Sequence, residues 1–157
     1  MVSEMAGGRK AKHRSGCPVS ASLEMFGDRW SLLIVRDLMI RGFHSFKDFQ
    51  ASGEGIATNV LADRLCKLQR AGIITAETDE TDARRVNYRL TEKGIELAPA
   101  VFELLLWGAR HAGTSAYSAV VDRLAKHREE ILAEVRRRWR EHDLRPLQAK
   151  TGQWLWP

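Results

Sequence analysis

Between Ile56 and Gly72 an amide, a carboxylate, a thiol and two cations recur along one side of a predicted helix. At about 100° per residue, Asn59, Asp63, Cys66, Lys67 and Arg70 point away from the stripe formed by Leu61, Leu65 and Leu68. Such side chains carry charge and make hydrogen bonds, the chemistry of reading a polar surface. Catalysis has no comparable constellation here. The five histidines, at positions 13, 44, 111, 127 and 142, show no Cys/His metal spacing. There is also no glycine-rich phosphate loop, nucleophile elbow or paired carboxylate motif. The sequence points away from an enzyme and calls for no cofactor.

The elements around this helix give its polar face a use. Gly72 ends it by supplying a left-handed position just past the last apolar residue, and Arg70 in the last turn complements the helix dipole. Upstream, SFKDFQAS from Ser45 carries a capping-box signal, Ser45 followed three residues on by Asp48, with Phe46 and Phe49 directed inward. Gly53-Glu54-Gly55 then turns the chain. Short helix, glycine turn and exposed second helix are the order of a helix-turn-helix, whose second helix can enter a DNA major groove about 12 Å wide. An ordinary helical hairpin has the same order.

Downstream the period changes from 3.6 to 2. ITAE after Gly72 and VNYRLT from Val86 alternate as strands, joined by the polar stretch TDETDARR. A hairpin directly after such a helix is a wing, and Arg84 and Arg85 at its tip could reach phosphates or a narrow minor groove. Asp79, Glu80 and Asp82 oppose this unless they pair with the arginines or face away.

The remaining chain reads as scaffold. Residues 1–16 are small and basic without apolar period, a flexible arm that either touches phosphate or is simply solvated. Pro18 suits the first turn of a helix to about Phe26, with Val19, Leu23 and Phe26 on one side. Asp28 can cap the next helix, whose Trp30, Leu33, Ile34 and Leu38 read as buried core and which Gly42 stops. Thr91 caps a helix to about residue 110 with Leu97, Val101, Leu104 and Leu105 on its apolar side, kinked at Pro99. A longer helix from Ser115 to about His142 repeats Tyr117, Val121, Leu124, Ile131, Leu132, Val135 and Trp139 at spacings of three and four. That is more apolar face than a small domain covers, which marks a dimer element; Leu105, Tyr117, Val121, Leu124, Ile131 and Val135 are its candidate contacts. The run Arg136, Arg137, Arg138 and Arg140 reads as a solvated face, and the tail with Trp154 and Trp156 folds back on this chain or on a partner.

Charge and length bound these readings. The 157 residues are 44% hydrophobic and carry a net charge of +5, with a pI near 9.6. The charge divides as +3 over residues 1–16, −1 over 17–114 and +3 over 115–157. A DNA surface in the central block must therefore be a local arrangement of basic groups. No apolar run approaches the roughly 20 residues that span a bilayer, which predicts a cytoplasmic chain without membrane contact. Cys17 and Cys66, far apart in sequence, read as reduced thiols.

Taken in order, the motifs resemble one family. CPV at Cys17, GDRWSLLIVRDL from Gly27, Phe46, the run I-x4-L-x3-L-x2-L-x3-G-I from Ile56, Y-R-L-T from Tyr88, and G-x2-L-x-P from Gly94 with Trp107 resemble the HxlR-type winged-helix transcriptional regulators, relatives of the MarR group. The resemblance runs from about Cys17 to Trp107. It implies a mainly α fold with a small β-hairpin wing (α+β). Residues 17–111 would form the winged helix-turn-helix, and residues 112–157, which lie outside the resemblance, a helical extension whose apolar face suits dimerisation. It further implies a homodimer on double-stranded DNA at a two-fold related operator, acting as a repressor or activator of a nearby gene.

Carried across by position, base contacts fall on Thr58, Asn59 and Asp63, phosphate contacts on Ser45, Lys47, Arg64 and Lys67, and wing contacts on Arg84 and Arg85. Asn59 can read adenine bidentately and Asp63 can accept from cytosine. Asp63 equally suits an i,i+4 pair with Lys67. In some members the cysteine at the position of Cys17 senses oxidants, and Lys12, His13 and Arg14 would favour its thiolate; a small buried apolar group is the other reading. Cys66 could be modified only at the expense of DNA contact. A small-molecule effector in a cavity between the C-terminal helices and the winged domain is a further expectation. Ala83 departs from the family, whose wing tips often have Pro before the Arg. Outside the family reading, the same surfaces would suit a winged-helix protein–protein interaction module. Steep salt dependence of duplex binding separates the two.

Overall fold

Pro18, with φ already fixed near the helical value, opens the first helix behind an extended Cys17. The computed structural model describes residues 13–113 and 118–147. Helix α1 (Pro18–Phe26) buries only Phe26, while Val19 is 66% and Leu23 59% exposed, so its expected apolar side is mostly uncovered. Asp28 caps α2 (Ser31–Arg36) as expected, accepting from the amides of Trp30 and Ser31 at 2.9 Å each and from the Ser31 hydroxyl at 2.6 Å.

The helix then widens into one π-helical turn, Asp37–Arg41, before Gly42 stops it at φ +72°. Asp37 is buried there, with Arg36 and Arg41 closing on its carboxylate. Apolar periodicity gave no sign of that widening. Ile34, Val35, Met39 and Ile40 form the buried side; Trp30, Leu33 and Leu38, expected in the core, are half-buried.

The next two helices follow the local signals. Helix α3 (Phe46–Gln50) has both halves of the capping box, Ser45 accepting from the Asp48 amide and Asp48 accepting from the Ser45 amide. Helix α4 (Thr58–Arg70) buries Leu61, Leu65 and Leu68, each gaining on the order of 1.5–3 kcal/mol. Gly72, at φ +69°, ends it.

Strands β1 (Ile74–Thr78) and β2 (Val86–Leu90) pair antiparallel, Ile74 opposite Leu90 and Thr78 opposite Val86. β2 has neighbours on both edges, because Ser45 bridges Asn87 and the Tyr88 amide donates to the His44 carbonyl at 2.7 Å. The Tyr88 ring meets buried Phe49 edge-on. The wing is thus built onto the start of α3.

Beyond the wing the expected single helix is two. Helix α5 (Glu92–Ile95), capped by the Thr91 hydroxyl, is followed by α6 (Ala98–His111), where Pro99 sits in the first turn and kinks nothing. The buried residues of α6 are Ala98, Val101, Phe102 and Leu106, whereas Leu104 is exposed.

Helix α7 (Ser118–Arg140) breaks at His127 (φ −128°, ψ 33°). Leu124, Ile131, Leu132 and Val135 join the same buried cluster as Phe49 and Leu65. Leu124, Ile131 and Val135 were expected at a dimer contact. That assignment is corrected, since their side chains are already covered within the chain. Leu105 and Val121 are half-buried, and Tyr117 lies outside the described residues.

After α7 the chain returns to the scaffold helix. Leu147 is buried and its amide donates to the Ile40 carbonyl at 2.7 Å, so this part of the extension packs on its own domain. Trp154 and Trp156 lie outside the described residues. Among the described residues no helix is long and apolar enough to cross a membrane.

Candidate nucleic-acid interface

Because α4 puts its leucines inward, its opposite face is available along its length. Thr58, Asn59 and Asp63, the residues expected at base edges, are all exposed. The Thr58 hydroxyl accepts from the Gln50 side chain at 2.8 Å, which ties the start of α4 to α3.

Charge on this face is arranged around a residue that sequence reading had treated only as a cap. Asp28 Oδ2 lies 3.3 Å from Lys67 Nζ and 3.6 Å from Arg64 Nη1. The Asp63–Lys67 pair, the other reading of Asp63, does not form among the described residues; Asp63 has Arg64 at 3.5 Å and Lys67 turns to Asp28. Burial alone would raise the Asp28 carboxyl, but the Ser31 hydroxyl, the amides of Ser31 and Trp30, and Lys67 outweigh it and hold it at about 2. Two of the cations expected on phosphate are therefore held by one ionised carboxylate. Lys47 is exposed on α3. The Ser45 hydroxyl accepts in the capping box and keeps its own proton to donate.

Two of the three acids at the wing tip turn inward on its backbone, while Glu80 is exposed. Asp79 accepts from the Thr81 hydroxyl and amide, from the Asp82 amide and from the Asn87 side chain. Those bonds, the Thr81 hydroxyl foremost, hold its carboxyl well below the ordinary carboxylate range. Asp82 accepts from the Arg84 amide at 3.0 Å. The two acids thus fold the tip, and among the described residues neither exposed guanidinium, Arg84 or Arg85, has an acid within ion-pair distance. Ala83 sits in this Asp-organised turn, so the tip is shaped without the Pro common in the family.

Cys17 is exposed at the start of α1, and the backbone amides of Ser20 and Val19 lower its thiol pKa. The reading of a small buried apolar group is corrected. Of the three basic residues expected to favour the thiolate, the His13 ring and the Arg14 amide bond to Glu24, each at 3.0 Å, and Lys12 lies outside the described residues. Cys66 is half-buried.

A cavity of about 270 Å³ opens between α2, α6 and α7, walled by Leu32, Leu33, Val101, Leu105 and Val121 with Arg36 at its edge. It lies where the C-terminal helices meet the winged domain.

A capped short helix, a glycine turn, a helix with an open polar face and a hairpin bonded back to the first helix together define a winged helix-turn-helix protein. Within that class the chain belongs to the HxlR-like helix-turn-helix family, whose model matches residues 25–116. It is a transcriptional regulator of the helix-turn-helix type.

Among relatives, it is similar to the HTH-type transcriptional regulator YdeP of Bacillus subtilis (strain 168), with 31% identity over 96 residues, 61% of this chain and 74% of that one. Among solved structures, PA1607, described as a transcription factor, superposes with a TM-score of 0.61 at 38% identity, over 67% of this chain and 72% of that chain. The redox regulator HypR in its oxidised form superposes with a TM-score of 0.55 at 30% identity, over 60% of this chain and 97% of that chain.

Proposed function

We propose that this chain binds double-stranded DNA as a homodimer at a two-fold related operator and represses transcription there. Helix α4 enters the major groove, with Thr58, Asn59 and Asp63 at base edges. Ser45, Lys47, Arg64 and Lys67 meet phosphates, and Arg84 and Arg85 reach the flanking minor groove. The observation that carries this reading is the pairing of an outward polar face on α4 with a wing tip in which Asp79 and Asp82 are engaged in folding the turn and Arg84 and Arg85 are exposed to an anionic partner.

Homodimerisation is supported by apolar surface left exposed on α1 and α6 among the described residues. Besides Val19 and Leu23 on α1, Leu104 is 53% and Trp107 61% exposed on α6. The cavity beside Leu105 and Val121 has the size and apolar lining to take a small-molecule effector. Cys17, an exposed thiol made more acidic by helix amides, is the group on which an oxidant would act; similarity to HypR, a redox regulator, supports that control. The protein works in the cytoplasm.

The test is binding of the purified protein to a labelled duplex from the region upstream of its own gene, followed by anisotropy at several salt concentrations. Affinity should fall steeply with salt and drop by about 5- to 150-fold in Asn59→Ala, since one bidentate base contact discriminates by about 1–3 kcal/mol. Salt-insensitive binding, or none above that to random duplex, would direct attention to a protein partner.

A further inference from the structure

The last turn of α7 and the root of the wing exchange hydrogen bonds. The indole Nε1 of Trp139 donates to the Leu90 carbonyl at 2.8 Å. In return the guanidinium of Arg89 donates to the Trp139 carbonyl and lies over the indole ring, 5.4 Å from its centroid. The Trp139 carbonyl is among the last in α7, where only the His142 amide reaches it from the backbone, at 3.4 Å, and the helix dipole favours a cation. Arg89 therefore works as a cap on α7, and Trp139 satisfies a strand carbonyl of β2.

The chain beyond α7 reinforces the join. His142 turns with φ +55° and the Asp143 amide donates to the Arg138 carbonyl at 3.0 Å. Leu144 and Leu147 then lie along Gly42 and Ile40. A Cβ on Gly42 would meet the Leu144 carbonyl oxygen at 2.0 Å, so the approach needs glycine there. His44 and Ser45, which follow Gly42, are the residues that hold the other edge of β2. The family match ends at residue 116, so the whole α7 side of this join belongs to the extension.

We propose that Trp139, through Leu90 and Arg89, is a positioning residue for DNA binding: the C-terminal extension braces the root of the wing and sets where Arg84 and Arg85 meet the duplex. This rests on the reading of the wing as a DNA contact. The lever is long compared with the tolerance at its end. Five residues at about 3.3 Å each put the tip roughly 16 Å from Leu90, so a 10° swing at the root moves it by about 3 Å. A charge-assisted hydrogen bond tolerates only a few tenths of an ångström about its usual 2.7–2.9 Å. A two-stranded hairpin without further support is marginally stable in water. Positional control must then come from what β2 meets beyond β1: Ser45 and His44 near its middle and Trp139 at its root.

Trp139→Phe keeps an aromatic ring under Arg89 and removes the N–H; Arg89→Met keeps the indole bond and removes the cap. Each is made in the full chain, alone and with Arg84→Ala/Arg85→Ala. Two readouts are taken: hydrogen exchange of amides 74–90 in the free protein, and affinity for the upstream duplex. Both brace variants should speed exchange across the wing several-fold and weaken duplex binding about fivefold. In the Arg84→Ala/Arg85→Ala background the loss in affinity should shrink below twofold, because the arginines through which the brace acts are gone. An equal loss in both backgrounds would overturn the proposal and leave Trp139 a general stabiliser. Wild-type exchange rates in both brace variants would also overturn it. A wild-type protein that binds no duplex would instead remove the regulator reading, an outcome the exchange data do not share.

Discussion

Asp28 reaches from the cap of α2 to Lys67 on α4, with 3.3 Å between Oδ2 and Nζ across 39 positions of sequence. One carboxylate thus fixes the start of the scaffold helix and restrains two cations of the reading helix, Lys67 and Arg64. Phosphates must compete with it for them. In Asp28→Asn the two cations are released, so binding to random duplex should tighten and the slope of log affinity against log salt should steepen by up to about one unit per cation that gains a phosphate. Asn keeps an acceptor for the Trp30 and Ser31 amides, so any loss of stability in the same variant, read by urea unfolding, should be about 1 kcal/mol or less and come from the missing charge beside Lys67 and Arg64. Because the folded carboxyl sits at about 2 against an ordinary 3.8, its contribution is complete above pH 3.8 and fades as pH falls toward 2. Wild-type stability should therefore approach that of the variant at the acid end only.

Removing the wing arginines should affect binding and leave folding alone. Neither guanidinium has an acidic partner among the described residues, so Arg84→Ala and Arg85→Ala should unfold within about 0.5 kcal/mol of wild type. Each should make the salt slope shallower by about one unit if it contacts phosphate. A wild-type slope in both variants would exclude the wing from the backbone contacts.

Asp79 is expected to govern the order of the wing tip. Asp79→Ala removes the acceptor for the Thr81 hydroxyl and for the amides of Thr81 and Asp82. Amide resonances of residues 79–85 should broaden or shift toward random-coil positions while those of α4 stay in place. The depressed carboxyl gives the wild type the same behaviour in acid: order at the tip is complete above the ordinary value of 3.8 and is lost only well below it. Tip resonances unchanged in Asp79→Ala would show that the turn forms without the carboxylate.

The two thiols should differ in reactivity. Iodoacetamide at pH 7 should alkylate exposed Cys17, whose thiol the Ser20 and Val19 amides make more acidic, well before half-buried Cys66. Mass spectrometry of a time course, with Cys17→Ser as the control, reads the order directly; Cys66 labelling first would reverse the assignment of the accessible thiol.

Local signals carried most of what was legible in the chain. The Leu61–Leu65–Leu68 stripe, the Ser45–Asp48 box and the alternation in β1 and β2 each depend on residues a few positions apart, and each folds as read. The contacts that organise the interface are distant ones. Asp28 with Lys67 and Arg89 with Trp139 join residues 39 and 50 positions apart, and no periodicity announces either.

Spacing also fails to say whose surface covers an apolar face. Leu124, Ile131 and Val135 have the pattern of a dimer seam and are buried in their own chain, while Val19 and Leu23, on the same side of their helix as buried Phe26, are exposed. The break before Pro99 has a similar origin. A Cβ on Gly94 would lie 2.2 Å from the Ile73 carbonyl oxygen, so α5 is pressed against the start of the wing and α6 begins anew beyond it.

The separation between Leu90 and Trp139, 49 positions, also sets a timetable for a chain emerging from the ribosome. A hairpin closes within about 1–10 μs once its strands are available. At roughly 5–20 residues per second, Trp139 follows Leu90 by about 2–10 s of translation. Throughout that interval β2 can be paired with β1 while its root still lacks the indole. The pace of elongation, and not the closing of the hairpin, is then the clock on which a newly made molecule acquires a braced wing.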